Sequence, residues 1–488
     1  SKVINVVNEG NITLGKGSAG IYIAPETSNT SNATVVNSGN ITLGDASDSE
    51  KPNVGIYVKN SAKTVTNSGD ITVGKNSIGI YGYEVTGNGG NITVGDNGTG
   101  IFSKGGNVTL NGGKLTVGNG KAAGVLTNGS GQTIISTADV QLGNSKSYGF
   151  VIKGSGTNAD INDADGTKLN NESVFMYSSD KTSNVINRTA LESTGNKNYG
   201  LYSSGNVKNL ADINFGIGLG NVGIFSVDGG TAVNGDPGLA TQPVITTGFS
   251  NPVNKEYSIG MAAGYYDEEN KILKNTGNIV NYGTIDVLKS ESIGMYAVGN
   301  GSTAKNYGTI NLSGKNTVGM YLDQSATGEN YGTIKSVPNA TNDGIKGVVA
   351  LNGSIFKNYG QIIIDSPNAT GYYYVNTQNY DNQGGTITVS GDNSKETDTA
   401  SQSNTTKRAK GIEIKVEIAP SGGPSTATVI RNGTAVKPIA IDTNIASPNA
   451  AKLTVGDTTL DLSSRLSNMP NMSRGSEIGM YVDTSGIN

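Results

Sequence analysis

Hydrophobic and polar positions alternate along this chain in short runs that keep restarting. The clearest copy is Asn306 to Leu322, NYGTINLSGKNTVGMYL, where Ile310 and Leu312 alternate with Thr309 and Asn311. Its neighbour NYGTIDVLKSESIGMYA starts at Asn281, and earlier copies read VNEGNITLGKGSAGIYI from Val7 and TNSGDITVGKNSIGIYG from Thr66. The shared form is N-x-G-x-[IL]-x-[VL], a short Gly/Ser/Lys/Asn segment, then G-[IM]-[YF]. Period-two runs without apolar spacing at i, i+3 and i+4 predict strands and turns and no helix.

Gly-aliphatic-aromatic triplets end near Tyr22, Tyr57, Tyr81, Phe102, Tyr202, Phe225, Tyr296, Tyr321 and Tyr481, with weaker copies at Val125-Leu126, Phe150-Val151 and Phe175-Met176. Undisturbed neighbours lie about 21 to 26 residues apart, the spacing of stacked repeats. One such unit cannot bury its own apolar face, whereas stacked units share a continuous core. The pattern therefore predicts an all-β, right-handed parallel β-helix (solenoid). About 16 copies at the ~4.8 Å strand spacing give a rod on the order of 80 Å long.

The rod is expected over residues 1-415. Interruptions are expected near 227-255, where Pro237, Pro243 and Pro252 fall in a Gly-rich stretch, and near 391-410, a polar low-complexity loop. Residues 416-476 hold Asn432-Gly433 between β-branched residues, a hairpin signal, and read as an inserted small β-hairpin subdomain. Residues 477-488 return to a β-helix rung at Gly479-Met480-Tyr481. The chain opens inside a rung and stops just after another, so it reads as a fragment of something longer. No apolar run reaches transmembrane length, and direct membrane insertion is not expected.

Composition changes this picture by exclusion. Hydrophobic content of 34% is low, yet sufficient where each rung needs only a few inward side chains. The 71 glycines serve corners and close backbone approaches. There is no His, Cys or Trp, which removes an imidazole base, a Ser-His-Asp triad, ordinary zinc sites, disulfides and thiolate nucleophiles. A net charge of −4 argues against a nucleic-acid or anionic-membrane surface. No catalytic residue, cofactor or metal is expected.

Two files of residues stand out. Asn8, Asn37, Asn67, Asn281, Asn306, Asn330, Asn358 and Asn382 occupy one position per rung, where side-chain amides can bond up and down a ladder. If Ile21 and Ile23 point inward, alternation sends Tyr22, Tyr57, Tyr81, Tyr296, Tyr321 and Tyr481 outward as a stripe. A further tyrosine file, Tyr282, Tyr307, Tyr331 and Tyr359, follows the ladder asparagine directly; earlier rungs carry Glu9, Ser38 and Ser68 there. Stacked tyrosines support neighbouring strands by ~0.5–1.5 kcal/mol per pair, and an aromatic stripe tipped with hydroxyls can also contact a protein or sugar rings. The binding candidates are this second file together with Arg431, Arg465 and Arg474, which could meet carboxylates.

Other constellations have plainer readings. Asp163-Ala164-Asp165-Gly166 with Glu172 imitates a calcium loop, but Ile161 stands where the first oxygen ligand belongs. Asp45, Asp48 and Glu50, the run Asp267-Glu268-Glu269, and Lys407-Arg408-Ala409-Lys410 read as solvated turns and loop.

The grammar N-x-G-x-I-x-V-G…G-I-Y, as in VVNSGNITLG…GIYV and VTNSGDITVGKNSIGIYG, resembles the passenger region of type V autotransporters. More specifically, it resembles large fusobacterial outer-membrane adhesins of the RadD-like group. The resemblance implies a rod displayed at the bacterial cell surface, anchored by a C-terminal barrel in the parent chain. Its partners would be a host or bacterial surface protein or a glycan. It supplies no active-site motif, so no residue inherits a role. The expected function is a non-catalytic adhesin that carries recognition on its excursions, chiefly residues 416-476 beside the Tyr282–Tyr359 file. The alternatives are a pure stalk segment and a β-helical polysaccharide-degrading enzyme.

Overall fold

The computed structural model describes residues 3–23, 32–46, 52–58, 64–120, 122–251, 258–267, 272–375, 381–399, 412–418, 424–431, 439–442, 452–455, 458–461 and 478–482. They are all-β, and parallel strands wind into a β-solenoid of about 14 turns rather than about 16. The chain forms two compact units: Ser1–Thr189 with Thr443–Asn488, and Ala190–Asp442.

A single turn shows how the repeat folds. Thr64–Asn67 lies in a first sheet and turns its second and fourth residues, Val65 and Asn67, inward. Ile71–Val73 lies in a second sheet with Ile71 and Val73 inward and Thr72 in water. Ile78–Gly82 lies in a third sheet, and all five of its residues are buried. Between the second and third strands the backbone bends through Asn76 at φ 57°, a left-handed conformation that asparagine tolerates better than most residues.

Among the described residues, most solenoid strands pair with their counterparts in the next turn, residue on equivalent residue: Val65 faces Val35 and Val85, and Ile71 faces Ile41 and Ile92. Like therefore stacks on like. In the first unit this register runs through the first sheet from Val3–Asn8 onward, and in the second unit from Asn206–Asn209 to Asp381–Asn382.

The third sheet overturns the expected outward stripe. Tyr22, Tyr57, Tyr81, Tyr296 and Tyr321 are buried, none more than 7% exposed. In the first unit Tyr22, Tyr57, Tyr81 and Phe102 stack with centroids 4.8 to 5.1 Å apart. Alternation identifies the face a side chain lies on but not whether that face meets water. A parallel strand covered on both faces reads as a nearly continuous apolar run, as V-G-I-Y-V does. Tyr481 belongs to this grammar, and its strand pairs with Ala19–Ile23.

Within the expected interruption near 227-255, the described residues 227–251 form a turn of the solenoid, while 252–255, with Pro252, lie outside the described residues. Thr231–Asn234 pairs with Asn206–Asn209 and with Asn278–Asn281, and Val244–Thr246 pairs with Ile213–Asn214 and with Thr284–Val287. Pro237 lies in the widened turn between these strands, while the Pro243 carbonyl accepts from Thr284 N–H at 3.0 Å. The true excursion is the antiparallel hairpin of Tyr265–Asp267 and Ile272–Asn275. Within 391-410, Lys395–Thr399 is a third-sheet strand paired with Thr370–Val375; residues 400–411 lie outside the described residues. Its sequence, KETDT, ends that sheet on charged and polar side chains, which blunt an edge against further pairing.

In the second unit, Ile412–Ile418, Pro424–Arg431 and Ile439–Asp442 form an antiparallel ribbon. It begins four residues before the 416 boundary, because Ile412 faces Arg431 instead of joining a turn. The backbone of Ile412–Ile418 lies beside Tyr265–Asp267 and Ile293–Val298. In the first unit, Lys452–Val455 and Thr458–Asp461 make an antiparallel hairpin.

Candidate functional site

The N-x-G motif builds a buried polar column. Asn8 Nδ2 donates to Asn37 Oδ1 at 2.7 Å, and Asn37 Nδ2 donates to Asn67 Oδ1 at 2.7 Å. Each amide also donates to the carbonyl two residues on, as Asn37 does to Gly39 at 2.8 Å and Asn67 to Gly69 at 2.7 Å. In the second unit the column runs Asn209, Asn234, Asn281, Asn306, Asn330, Asn358, with steps of 2.9 to 3.0 Å. Asn382 follows in backbone register with Asn358. The motif's glycine has a separate role: a Cβ at Gly39 or Gly69 would run into the backbone of the preceding turn.

Asn209 and Asn234 belong to this column although they were absent from the expected file, and Asn187 occupies the same position in the first unit, donating to Thr189 O at 2.9 Å. All three lack the glycine two residues on. The signal that would have found them is strand alternation: NVIN, NVKN and TAVN each end on the inward asparagine.

Directly after four of these asparagines the chain places Tyr282, Tyr307, Tyr331 and Tyr359. Their N–H groups donate to Asn234, Asn281, Asn306 and Asn330 carbonyls at 2.7 to 2.8 Å, which fixes each tyrosine over the last. The rings stack at 4.9, 4.6 and 4.6 Å, with interplanar angles of 15°, 5° and 3°. Tyr307, Tyr331 and Tyr359 are 37 to 41% exposed, and Tyr282 is half-buried. Because neighbours cover the ring faces, the file shows solvent its ring edges and hydroxyls. Aromatic edges carry the positive side of the ring quadrupole, so the stripe suits acceptors and hydroxyl-rich partners better than a stacking sugar face.

A row of charge runs alongside. Lys305, Glu329 and Lys357 face one another in register. Lys305 Nζ lies 2.9 Å from Glu329 Oε2, which also accepts from Tyr331 Oη at 3.0 Å. Glu329 holds the Lys305 ammonium protonated beyond its usual range. Tyr331 is pushed up to about 12, by desolvation first and then by the Glu329 hydrogen bond. Its folded value lies above the ordinary 10.0, so the stability it contributes is complete below pH 10 and is lost as pH rises through about 12. Glu329→Gln is expected to move the Tyr331 phenolate step to lower pH, read as the absorbance difference against the same variant carrying Tyr331→Phe.

The structure thus assembles the four tyrosines. Arg431 ends the strand Pro424–Arg431, while Arg465 and Arg474 lie outside the described residues. Asp163 is buried and accepts from Val140 N–H, Asp165 N–H and Thr167 Oγ1 at 2.9 to 3.1 Å, while Glu172 pairs with Lys146 at 3.4 Å. The calcium-like run is thus engaged as a turn that ties two rungs together. Asp45 accepts from Lys75 N–H at 2.7 Å. Asp48, Glu50, Glu268, Glu269 and Lys407 to Lys410 lie outside the described residues. Beside Asp163 the second sheet breaks between Asp139–Leu142 and Thr167–Leu169, leaving a groove of about 460 Å³ whose walls include Asp139, Gln141, Asp165, Lys168 and Asn170.

Comparison with known proteins gives one result of weight. No curated protein and no solved structure gives a significant match. The family model described as the BigA third pectate lyase-like domain matches residues 82–333, which include the column from Asn187 to Asn330 and the tyrosines Tyr282, Tyr307 and Tyr331. With half of its length covered by that model, the chain belongs to the BigA third pectate lyase-like domain family.

Proposed function

We propose that this chain is a non-catalytic segment of a bacterial surface adhesin of autotransporter type, displayed on the extracellular face of the outer membrane. It binds a host or bacterial surface protein or a glycan. The motif grammar favours the fusobacterial RadD-like group as the finer assignment, with a barrel elsewhere in the parent chain. One observation carries the reading: four tyrosines stacked in a file, each ring centroid within 5 Å of the next, three of them more than a third exposed, beside a row of alternating charge. Stacking alone would be served by buried rings, as the third sheet shows with Tyr22 and Tyr57. An exposed file on a rigid sheet is the arrangement of a contact surface, and tyrosine is the residue such surfaces favour.

Binding of the purified chain to arrays of glycans and cell-surface proteins tests this. Joint replacement of Tyr307, Tyr331 and Tyr359 by alanine is expected to weaken specific binding at least tenfold. It should cost about 1.5–4.5 kcal/mol of stability, the value of the three lost ring pairs. A parallel variant with 416-476 replaced by a Gly/Ser linker separates the sheet face from the inserted segment. Binding unchanged in both would place recognition on another face of the solenoid, and no binding by the intact chain would leave a stalk whose recognition lies elsewhere in the parent. A specific observation favours testing the enzymatic alternative too: Asp139, Asp165 and Lys168 share one groove. Release of unsaturated uronides from polyuronate, lost in Asp165→Ala, would support it.

A further inference from the structure

In the first unit the second sheet parts at a level where the other two sheets stay closed. There Thr133–Ser136 pairs with Asn158–Ile161 in the first sheet and Ser147–Lys153 with Val174–Ser178 in the third, yet Asp139–Leu142 and Thr167–Leu169 do not pair in the second. The cause is local. The chain takes four residues from inward Ser136 to inward Val140 but six from Ile161 to Thr167, and Asp163 holds the longer turn by accepting from Asp165 N–H and Thr167 Oγ1. The two strands meet again beyond the gap, where Ser145 bridges Asn171 and Asn170 Nδ2 donates to Gly143 O at 2.8 Å.

The gap has hydrogen-bonding groups along its edge. In preceding turns the inward residues of this sheet direct both backbone groups to the next turn: Ile71 N–H donates to Asn91 O at 2.8 Å, and Val73 O accepts from Gly95 N–H at 2.9 Å. Val140 and Leu142 hold the same positions in register. Val140 N–H donates to Asp163 Oδ2 at 3.1 Å, whereas Val140 C=O and Leu142 N–H and C=O meet no strand on that side. The gap also opens the sheet to solvent. Leu142 is half-buried, while Leu43, Val73, Val94 and Val117 at its position are at most 2% exposed.

We propose that this groove is a binding site for a neutral saccharide, separate from the tyrosine file. Its volume of about 460 Å³ falls within the ~300–1,000 Å³ of small-molecule sites. A hydroxyl both donates and accepts, so adjacent sugar hydroxyls can serve a strand edge that offers C=O, N–H and C=O in turn. The Asp139 and Asp165 carboxylates and the Gln141 amide on the walls take further hydroxyls, and Leu142 gives the C–H face of a ring an apolar floor. A peptide strand cannot thread the gap, because the bridge from Ser145 to Asn171 closes it. An acidic sugar would set its carboxylate against two others, Asp139 and Asp165, of which Lys168 offsets one, so the site selects against it. This contact does not depend on the tyrosine surface, and either can fail alone.

Titration of the full chain with disaccharides of glucose, galactose and mannose, followed by ligand-observed NMR, tests the proposal. Saturable binding of at least one is expected, at least tenfold tighter than that of digalacturonate. Asp165→Ala with Gln141→Ala, both at exposed wall positions, is expected to weaken it at least tenfold. Joint replacement of Tyr307, Tyr331 and Tyr359 by alanine should leave it unchanged. Hydrogen exchange gives a readout without substitution: the amides of residues 140–143 should exchange at least threefold more slowly at saturating sugar. No saturable binding, digalacturonate bound equally well, binding that survives the wall variant, or unchanged exchange would each overturn the site. Binding lost only in the tyrosine variant would overturn it too, while sustaining the exposed file.

Discussion

Asn306→Asp is expected to cost about 4 kcal/mol at neutral pH, a large part of a typical domain's stability. Asn306 is fully buried; its Nδ2 donates to Asn330 Oδ1 at 2.9 Å and Gly308 O at 3.2 Å, and its Oδ1 accepts from Asn281 Nδ2 at 2.9 Å. Aspartate keeps the shape and the acceptor but removes both donors. Each orphaned buried acceptor costs about 1–3 kcal/mol, and an ionised carboxylate would also face the Asn330 oxygen without water. Burial would raise the new carboxyl's pKa above its unfolded ~3.9. The variant's deficit should therefore grow as pH rises through that raised value and shrink toward pH 4, where the protonated group regains one donor. Guanidinium unfolding at the two pH values, with Asn306→Leu as the uncharged comparison, reads this directly. Equal deficits at both pH values for the aspartate variant would mean that the position is not as dry as the structure has it.

The second large effect concerns space rather than charge. Gly294→Val should cost about 3 kcal/mol or more, above the usual range for overpacking because the obstacle is backbone. A Cβ there would lie 2.6 Å from the Gly319 carbonyl oxygen, 3.0 Å from Ile310 Cγ2 and 3.3 Å from Val287 Cγ2. The two isoleucine and valine methyls could rotate aside, but the carbonyl is fixed by the pairing of Ile293 with Val318 and Met295 with Met320. Gly10→Ala is the matched control: nothing lies within 4 Å of a Cβ at Gly10, and its stability should change by less than about 0.5 kcal/mol. Thermal unfolding of both variants separates a glycine required by its neighbours from one that merely repeats the motif.

That pair of glycines shows what could be read from the sequence. Gly10, Gly39 and Gly69 hold the same place in N-x-G, yet a Cβ would meet backbone at Gly39 and Gly69 and nothing within 4 Å at Gly10. Period-two runs and the repeat spacing made the strands, their parallel stacking and the asparagine file legible, because each is a local pattern copied many times. The burial of Tyr22 and its successors was not legible, since it depends on what covers the far face of the third sheet. The turn within 227-255 was hidden by Pro237 and Pro243, although TAVN at Thr231–Asn234 fits the first sheet as well as NYGT's own strand does. The stacking of Tyr282 to Tyr359 followed from spacing alone. That their faces are closed and their edges open came only from the ring geometry.

The asparagine column has a sense of direction. In every step of the buried file the earlier residue gives a proton and the later one receives it, from Asn8 to Asn67 in one unit and from Asn209 to Asn358 in the other. The amide dipoles therefore add along each file instead of cancelling, and each bond polarises the next. One end of such a file is electronegative and the other electropositive. A turn added at the first end must bring a proton to an oxygen, while one added at the second must bring an oxygen to a proton. Growth at the two ends is chemically unlike, even where the strands that would pair are the same.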